Sequence, residues 1–459
     1  MPDAPPITLK NHMQKFGFSS LSEILTDLAK KYPSLENVPL WLAAILTGFA
    51  SVGFAWAFRS AEHFSLSLQG SPWFILLSPL CFLTSWYIVF RFAPEAKGSG
   101  IPQVMAAISL VNFAGVDKKS ITQMVGLRTM LVKIASALIC VVGAGAIGRE
   151  GPTIQIAAGL FFILHIPFRT IFPRLDAESW LIAGGAAGIA AAFNTPLGGL
   201  VYAIEELATK HFNQFRTTVI SAVMVSGLAA LWLNGNYLYF NAPPPQTSTA
   251  LDSFYAIFLG LISGLAGGLF GLALYEIAGF QKRIPKVWMK ALFAVVCGLL
   301  IVLTIYVVQP EAAGPGKDLI SGFLDSKMNA DISLTFSRWL TPIISYAAGG
   351  AGGIFAPSLA VGASIGSLAS QFFHSNQVEF FIIMGMIGFL TGVTHAPFTS
   401  MVLVLEMTDR HRMISSMMLA TFSAFVITRF LKHHSFYERV RDDYIKALRP
   451  VDSMPLTEP

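Results

Sequence analysis

The sequence predicts an all-α polytopic membrane protein, built as two inverted structural repeats with many tilted and broken helices. Three observations carry that prediction. The chain is rich in apolar residues and poor in charge. Apolar runs long enough to span a bilayer alternate with shorter ones opened by Gly or Pro. Two Gly- and Pro-marked segments recur in the same order in each half.

Of 459 residues, 54% are hydrophobic and 12% charged, and the mean hydropathy is +0.61. Soluble domains carry about 25% charged residues, so a soluble multi-domain enzyme lacks the polar surface it would need here. Cys81, Cys140 and Cys297 lie singly in apolar runs, which is the pattern of packing residues. The nine histidines form no HExxH or Cys/His cluster, so neither a metal nor an organic cofactor is expected. The net charge of +5 lies between the runs and at the chain ends. That placement follows membrane topology, and no nucleic-acid partner is expected.

Runs of spanning length occupy 39–58, 72–92, 121–145, 216–234, 253–280, 287–308, 331–348 and 411–431. About 20 apolar residues cross the hydrocarbon as a helix. Between these runs lie shorter segments at 100–112, 152–167, 178–193, 196–208, 357–373, 378–393 and 397–407. Short helices that stop inside the membrane are the device transporters use to aim backbone dipoles at an ion. Residues 1–35 read as a cytoplasmic amphipathic helix without a signal-peptide pattern. The stretch Asn236–Asp252 has no Lys or Arg and reads as external. Lys282, Arg283, Lys286 and Lys290 read as a cytoplasmic loop. A basic helix over 433–450 and a tail over 451–459 also read as cytoplasmic, with no regulatory domain expected after them. Both termini are therefore expected inside.

The internal repeat sets a half at about 36–235 against one at 251–432. Asn194-Thr-Pro196-Leu matches His395-Ala-Pro397-Phe, and each Pro is followed nine positions on by a glutamate, Glu205 and Glu406. Gly148-Arg-Glu-Gly-Pro152 matches Gly353-Ile-Phe-Ala-Pro357 in its Gly-x-x-x-Pro frame. Two ordered matches at nearly constant offset indicate a duplicated fold whose halves meet at one midplane site.

Three motifs carry chemistry. In Gly98-Ser99-Gly100-Ile101-Pro102, Pro suits a first helical turn and the glycines allow close backbone approach to a ligand. Ser99 adds a neutral hydroxyl. Gly148-Arg149-Glu150-Gly151-Pro152 puts a carboxylate at a helix N-terminus, where anions are favoured. A carboxylate there either caps the helix or fills an anion site itself. In the second case protonation lets it swing away, so one side chain serves as gate and proton carrier. In Gly352-Gly353-Ile354-Phe355-Ala356-Pro357, the N–H groups of Ile354 and Phe355 can face the same ion from the other half. An anion held by dipoles and hydroxyls leaves again, whereas a full Lys or Arg contact would retain it.

In this order, GSGIP, GREGP and GGIFAP resemble the CLC family of chloride channels and chloride/proton exchangers, with FNTPLGGLVYAIEEL, LVLEMTD and Phe436-Tyr437 extending the resemblance over about 35 to 450. The resemblance implies a central chloride coordinated by Ser99 and Tyr437 and by the amides of Ile354 and Phe355. It makes Glu150 the external gate. Exchangers of the family resemble one another in carrying an acid at the second position of the Glu-Glu pair, here Glu206, where channels commonly carry an apolar residue. Glu205 aligns with Glu406 in the repeat and reads as structural, while Glu206 aligns with Met407. Glu206 is therefore expected to transfer protons internally. Ser99 also favours chloride, because a proline there goes with nitrate in this family.

Lys133, Arg128 and Arg149 either snorkel to the interface or raise the potential along the anion path. His395 reads as a packing residue. The resemblance further implies a homodimer in the lipid of a bacterial inner membrane, with chloride and protons as the species moved. The expected function is proton-coupled chloride antiport, with a passive chloride channel as the alternative. An intramembrane enzyme would need a nucleophile–base pair or metal ligands on facing helices, and the Ser and His residues are scattered instead.

Overall fold

A computed structural model of the protein describes residues 37–448, apart from 114, 170–175, 209–211, 236–237, 241–250, 432–433 and the side chains of 212–215. The expected surface helix at 1–35 and the tail at 451–459 lie outside the described residues, as does most of the Asn236–Asp252 stretch.

The described residues are helical throughout. The first half holds α1 (Val38–Leu68), α2 (Phe74–Phe92), α3 (Ile101–Leu110), α4 (Lys118–Val125), α5 (Leu127–Val142), α6 (Glu150–Phe168), α7 (Ala177–Phe193), α8 (Pro196–Tyr202) and α9 (Phe212–Asn234). The second holds α10 (Leu251–Arg283), α11 (Val287–Val307), α12 (Lys317–Leu324), α13 (Ile332–Ala347), α14 (Phe355–Phe372), α15 (Val378–Thr394), α16 (Pro397–Thr408) and α17 (Ile414–Leu431). A last helix, α18 (Phe436–Leu448), falls within the expected 433–450 segment. Two isolated β-bridges, Gly98 with Ala351 and Gly148 with Gly353, are the strand-like pairings among the described residues.

Corresponding helices match in length. α5 and α13 each have 16 residues, and α7 and α15 each have 17. In both halves a glycine lets helices cross backbone to backbone. A Cβ at Gly184 would lie 2.8 Å from Ala158 Cα, and Gly385 abuts Gly362 and Gly366 in the same way. Close approach at small residues is how helices associate in lipid, where no hydrophobic force drives them together. The outward faces of α10, α11 and α17 are apolar, with Leu261, Leu303 and Phe422 exposed toward the hydrocarbon.

The repeat is more extensive than the two matches read from sequence. Pro94-Glu-Ala-Lys-Gly98-Ser-Gly100 recurs as Pro310-Glu-Ala-Ala-Gly314-Pro-Gly316. Each begins as a short 3-10 turn and ends in two left-handed glycines, with φ of 65° and 99° in the first copy and 72° and 91° in the second. Side chains are strained in that region, so glycine is required at all four positions.

Among the described residues, eight helices are long and apolar enough to cross a membrane. Seven correspond to expected runs. The expected 331–348 run is instead a 16-residue helix, Ile332–Ala347, which Asp331 starts by accepting the Leu334 N–H (2.7 Å). The segment expected as short, 152–167, starts earlier and is a 19-residue helix from Glu150 to Phe168.

Candidate functional site

The Gly98–Gly100, Gly148–Gly151 and Gly350–Gly353 segments are laced together by backbone hydrogen bonds. The Gly98 N–H donates to Gly350 O (2.8 Å), and the Gly352 N–H donates to Gly98 O (2.9 Å). Gly148 and Gly353 exchange two such bonds, both 2.7 Å. The approach is as close as glycine permits. A Cβ on Gly151 would collide with Ser99 Oγ, and one on Gly353 would lie 2.9 Å from Gly151 N. This seam brings the N-termini of α3, α6 and α14 to one place, where their unpaired N–H groups favour negative charge.

A fourth helix completes the locus. Ser435 and Glu438 form a capping box on α18, the Ser435 N–H donating to Glu438 Oε2 (2.8 Å) and the Glu438 N–H to Ser435 Oγ (3.2 Å). The cap fixes Tyr437, whose ring stacks on Phe355 at 6.0 Å and whose hydroxyl faces Ser99. Ser99 and Tyr437 are each 1% exposed. Ser99 Oγ, Tyr437 Oη and Glu150 Oε2 are buried with no protein hydrogen-bond partner among the described residues. Buried polar atoms without partners are costly in a protein interior. Two facing hydroxyls and a carboxylate thus form a polar cage beside helix N-termini.

Glu150 opens α6 and is buried. Tyr239 covers it, donating its hydroxyl to Glu150 Oε1 (3.3 Å). Arg149 lies beside it, with Nε 4.0 Å from Oε1 and its guanidinium 5.9 Å from the Tyr239 ring centroid. A cavity of about 50 Å³ lies over this lid, lined by Glu62, Arg149, Glu150, Tyr239 and Lys317 among others. A second cavity, of about 610 Å³, reaches Lys282 and is lined by Lys97, Gln103, Tyr346 and Tyr444 among others. The narrow cavity thus touches Glu150, while the wide one touches Lys97 and Gln103, which flank the Gly98–Gly100 segment.

Lys133 is fully buried and donates from Nζ to Gly98 O (2.8 Å). It does not snorkel. It holds the carbonyl of Gly98, the residue before Ser99. Its counterpart in the second half, Arg338, is 1% exposed and donates from Nη1 to Gly314 O (2.8 Å). The Lys133–Arg338 match was not read from sequence, although both residues stand at the seventh position of the matched helices α5 and α13.

Glu205 and Glu406 are crossed caps. Glu205 accepts the N–H groups of Phe398 (3.2 Å) and Thr399 (2.7 Å) at the start of α16. Glu406 accepts those of Leu197 (3.1 Å) and Gly198 (2.6 Å) at the start of α8. Glu206 follows Glu205 in a π-helical turn, Ala203–Leu207. Its Oε2 is buried without a protein partner among the described residues, and Glu438 and Arg441 of α18 stand near it. Glu206 is therefore not one of the cage groups and stands beside α18. His395 ends α15 in the left-handed conformation, as Asn194 ends α7.

The chain matches the family described as Voltage gated chloride channel over residues 81–429. It is 30% identical over 451 residues to a protein of Citrobacter koseri named H(+)/Cl(-) exchange transporter ClcA, covering 90% of this chain and 91% of that one. Its fold is similar to a slow cyanobacterial Cl-/H+ antiporter, with a TM-score of 0.78, 21% identity, and coverage of 90% of this chain and 98% of that one. A CLC-type fluoride/proton antiporter follows with a TM-score of 0.71, 20% identity, and coverage of 88% and 97%. The seam, the cage and these likenesses agree, and the chain belongs to the CLC family of voltage-gated chloride channels and their exchanger relatives.

Proposed function

We propose that this chain is a multi-pass chloride/proton antiporter, a transporter and not an enzyme. The observation that carries the reading is the polar cage with an acid at its rim. Chloride is held by the Ser99 and Tyr437 hydroxyls and the N–H groups of Ile354 and Phe355. Glu150 occupies the outer end of the same site when ionised and leaves it when protonated. Chloride and the Glu150 carboxylate thus compete for the same dipoles, which links anion movement to proton movement. Glu206 takes protons from the cytoplasmic side, Lys133 fixes the loop that carries Ser99, and Arg149 steadies the Glu150 carboxylate and raises the potential at the outer mouth.

The acid at Glu206 favours exchange over passive conduction, as do the exchanger names of the relatives. The protein works as a homodimer in the bacterial inner membrane with both termini inside, the basic Lys282–Lys290 loop marking the cytoplasmic face. The test is a purified-protein liposome assay that reads chloride and pH together. A chloride gradient drives protons uphill if the reading is right. Chloride flux with no proton movement sinks it in favour of a channel.

A further inference from the structure

Tyr202 is the last residue of α8, just before the π-helical turn that carries Glu206. It is 1% exposed, and its hydroxyl has no hydrogen-bond partner among the described residues. It stands four positions before Glu206, so both side chains rise on one helix face a turn apart. Its electrostatic neighbours are Glu206 and Tyr437. Tyr437 in turn neighbours Glu150 and Ser99. Tyr202 thus adjoins both the acid of the π-helical turn and a hydroxyl of the cage.

The repeat shows that packing alone does not call for this pair. At the matching positions of α16 the chain has Leu403 and Met407, both fully buried. The second half thus fills this helix face with two apolar side chains, where the first half has a hydroxyl and an acid. A phenol buried without a partner destabilises the fold by the cost of its desolvation. A phenylalanine would pack the same volume without that cost.

We propose that the Tyr202 hydroxyl relays protons between Glu206 and Glu150. A proton leaving the Glu206 carboxyl is taken on the Tyr202 oxygen as the phenol's own proton passes on toward Glu150, through water where the gap requires it. One O–H bond forms and one breaks at Tyr202, so the phenol ends neutral, Glu206 is left ionised and Glu150 is protonated. The inference rests on the antiport reading and names a proton-carrying group within it.

The test is Tyr202→Phe in the liposome assay, with thermal unfolding in detergent measured alongside. The proton-to-chloride flux ratio is expected to fall about tenfold, the factor given by losing one hydrogen bond worth about 1.4 kcal/mol in the transfer step. The melting temperature is expected to hold or rise, because an orphan hydroxyl is removed. An unchanged flux ratio overturns the relay, whether total flux is preserved or both fluxes fall together, and the second result makes Tyr202 a packing residue. A lower melting temperature also overturns it, by showing that the hydroxyl has a structural partner. Wild-type protein that moves chloride without protons is a separate outcome and strikes the antiport reading itself.

Discussion

The two halves of this molecule are built on the same plan and differ in chemistry. Each has a Gly-x-Gly turn opening a short helix, a buried cation holding a glycine carbonyl, a Gly-x-x-x-Pro helix start at the seam and a Pro-initiated helix capped from across the pseudo-axis. On that shared frame the first half places Ser99, Glu150, Tyr202 and Glu206. The second places Pro315, Phe355, Leu403 and Met407 at the matching positions. Ionisable and hydroxyl groups have gathered in one copy, while the other supplies backbone dipoles and apolar walls. Duplication thus gave the scaffold, and divergence of a few side chains turned a symmetric cavity into a path with direction.

The comparison can be broken at its seam first. Gly353→Val should abolish the folded protein, because a side chain there meets the backbone of Gly148 and Gly151 at about 3 Å on each side. A normal elution profile in gel filtration would show that the halves are not locked as described. Glu150→Gln comes next and should leave chloride flux that no longer responds to pH and carries no protons. Persistent pH dependence in liposomes would separate Glu150 from coupling. Glu206→Gln, which makes the first half more like the second, should lose most proton flux and keep chloride flux. Uphill proton movement surviving in that variant would return Glu206 to a structural role.

The smallest effect tests symmetry itself. Glu205→Gln and Glu406→Gln should each cost about 1 to 2 kcal/mol of stability, by weakening charge-assisted bonds to a helix N-terminus. Transport coupling should be intact in both. A loss of coupling in Glu205→Gln but not in Glu406→Gln, read by the same flux assay, would show that the two caps have also diverged.

Much of this was legible in the sequence, because broken helices leave marks. Gly98, Gly148, Pro196 and Pro397 stand where helices begin or chains cross, where glycine and proline suit the backbone. The Glu205–Glu406 match marked Glu205 as structural, and the crossed caps give that role its form. The span expected at 331–348 was not borne out, because apolarity alone does not show where a helix stops, and Gly349 at φ 85° lies just past the Ala347 end. The helix at 150–168 was read as short because Arg149 and Glu150 break the apolar pattern at the very point where it starts. Tyr202 gave a signal in its spacing to Glu206, but a tyrosine in an apolar helix reads as packing until its hydroxyl is seen to lack a partner. The Pro-Glu-Ala-x-Gly-x-Gly recurrence was in plain view, though only the shared left-handed glycines give it physical meaning.

The crossed glutamates also constrain how the chain is made. The helix beginning at Pro196 receives its charged cap from Glu406, some two hundred residues later in synthesis. The first half must therefore wait in the bilayer with that helix start unfinished until Glu406 has been made. Neither half can reach its final form by itself, so assembly ends in a single late closing step.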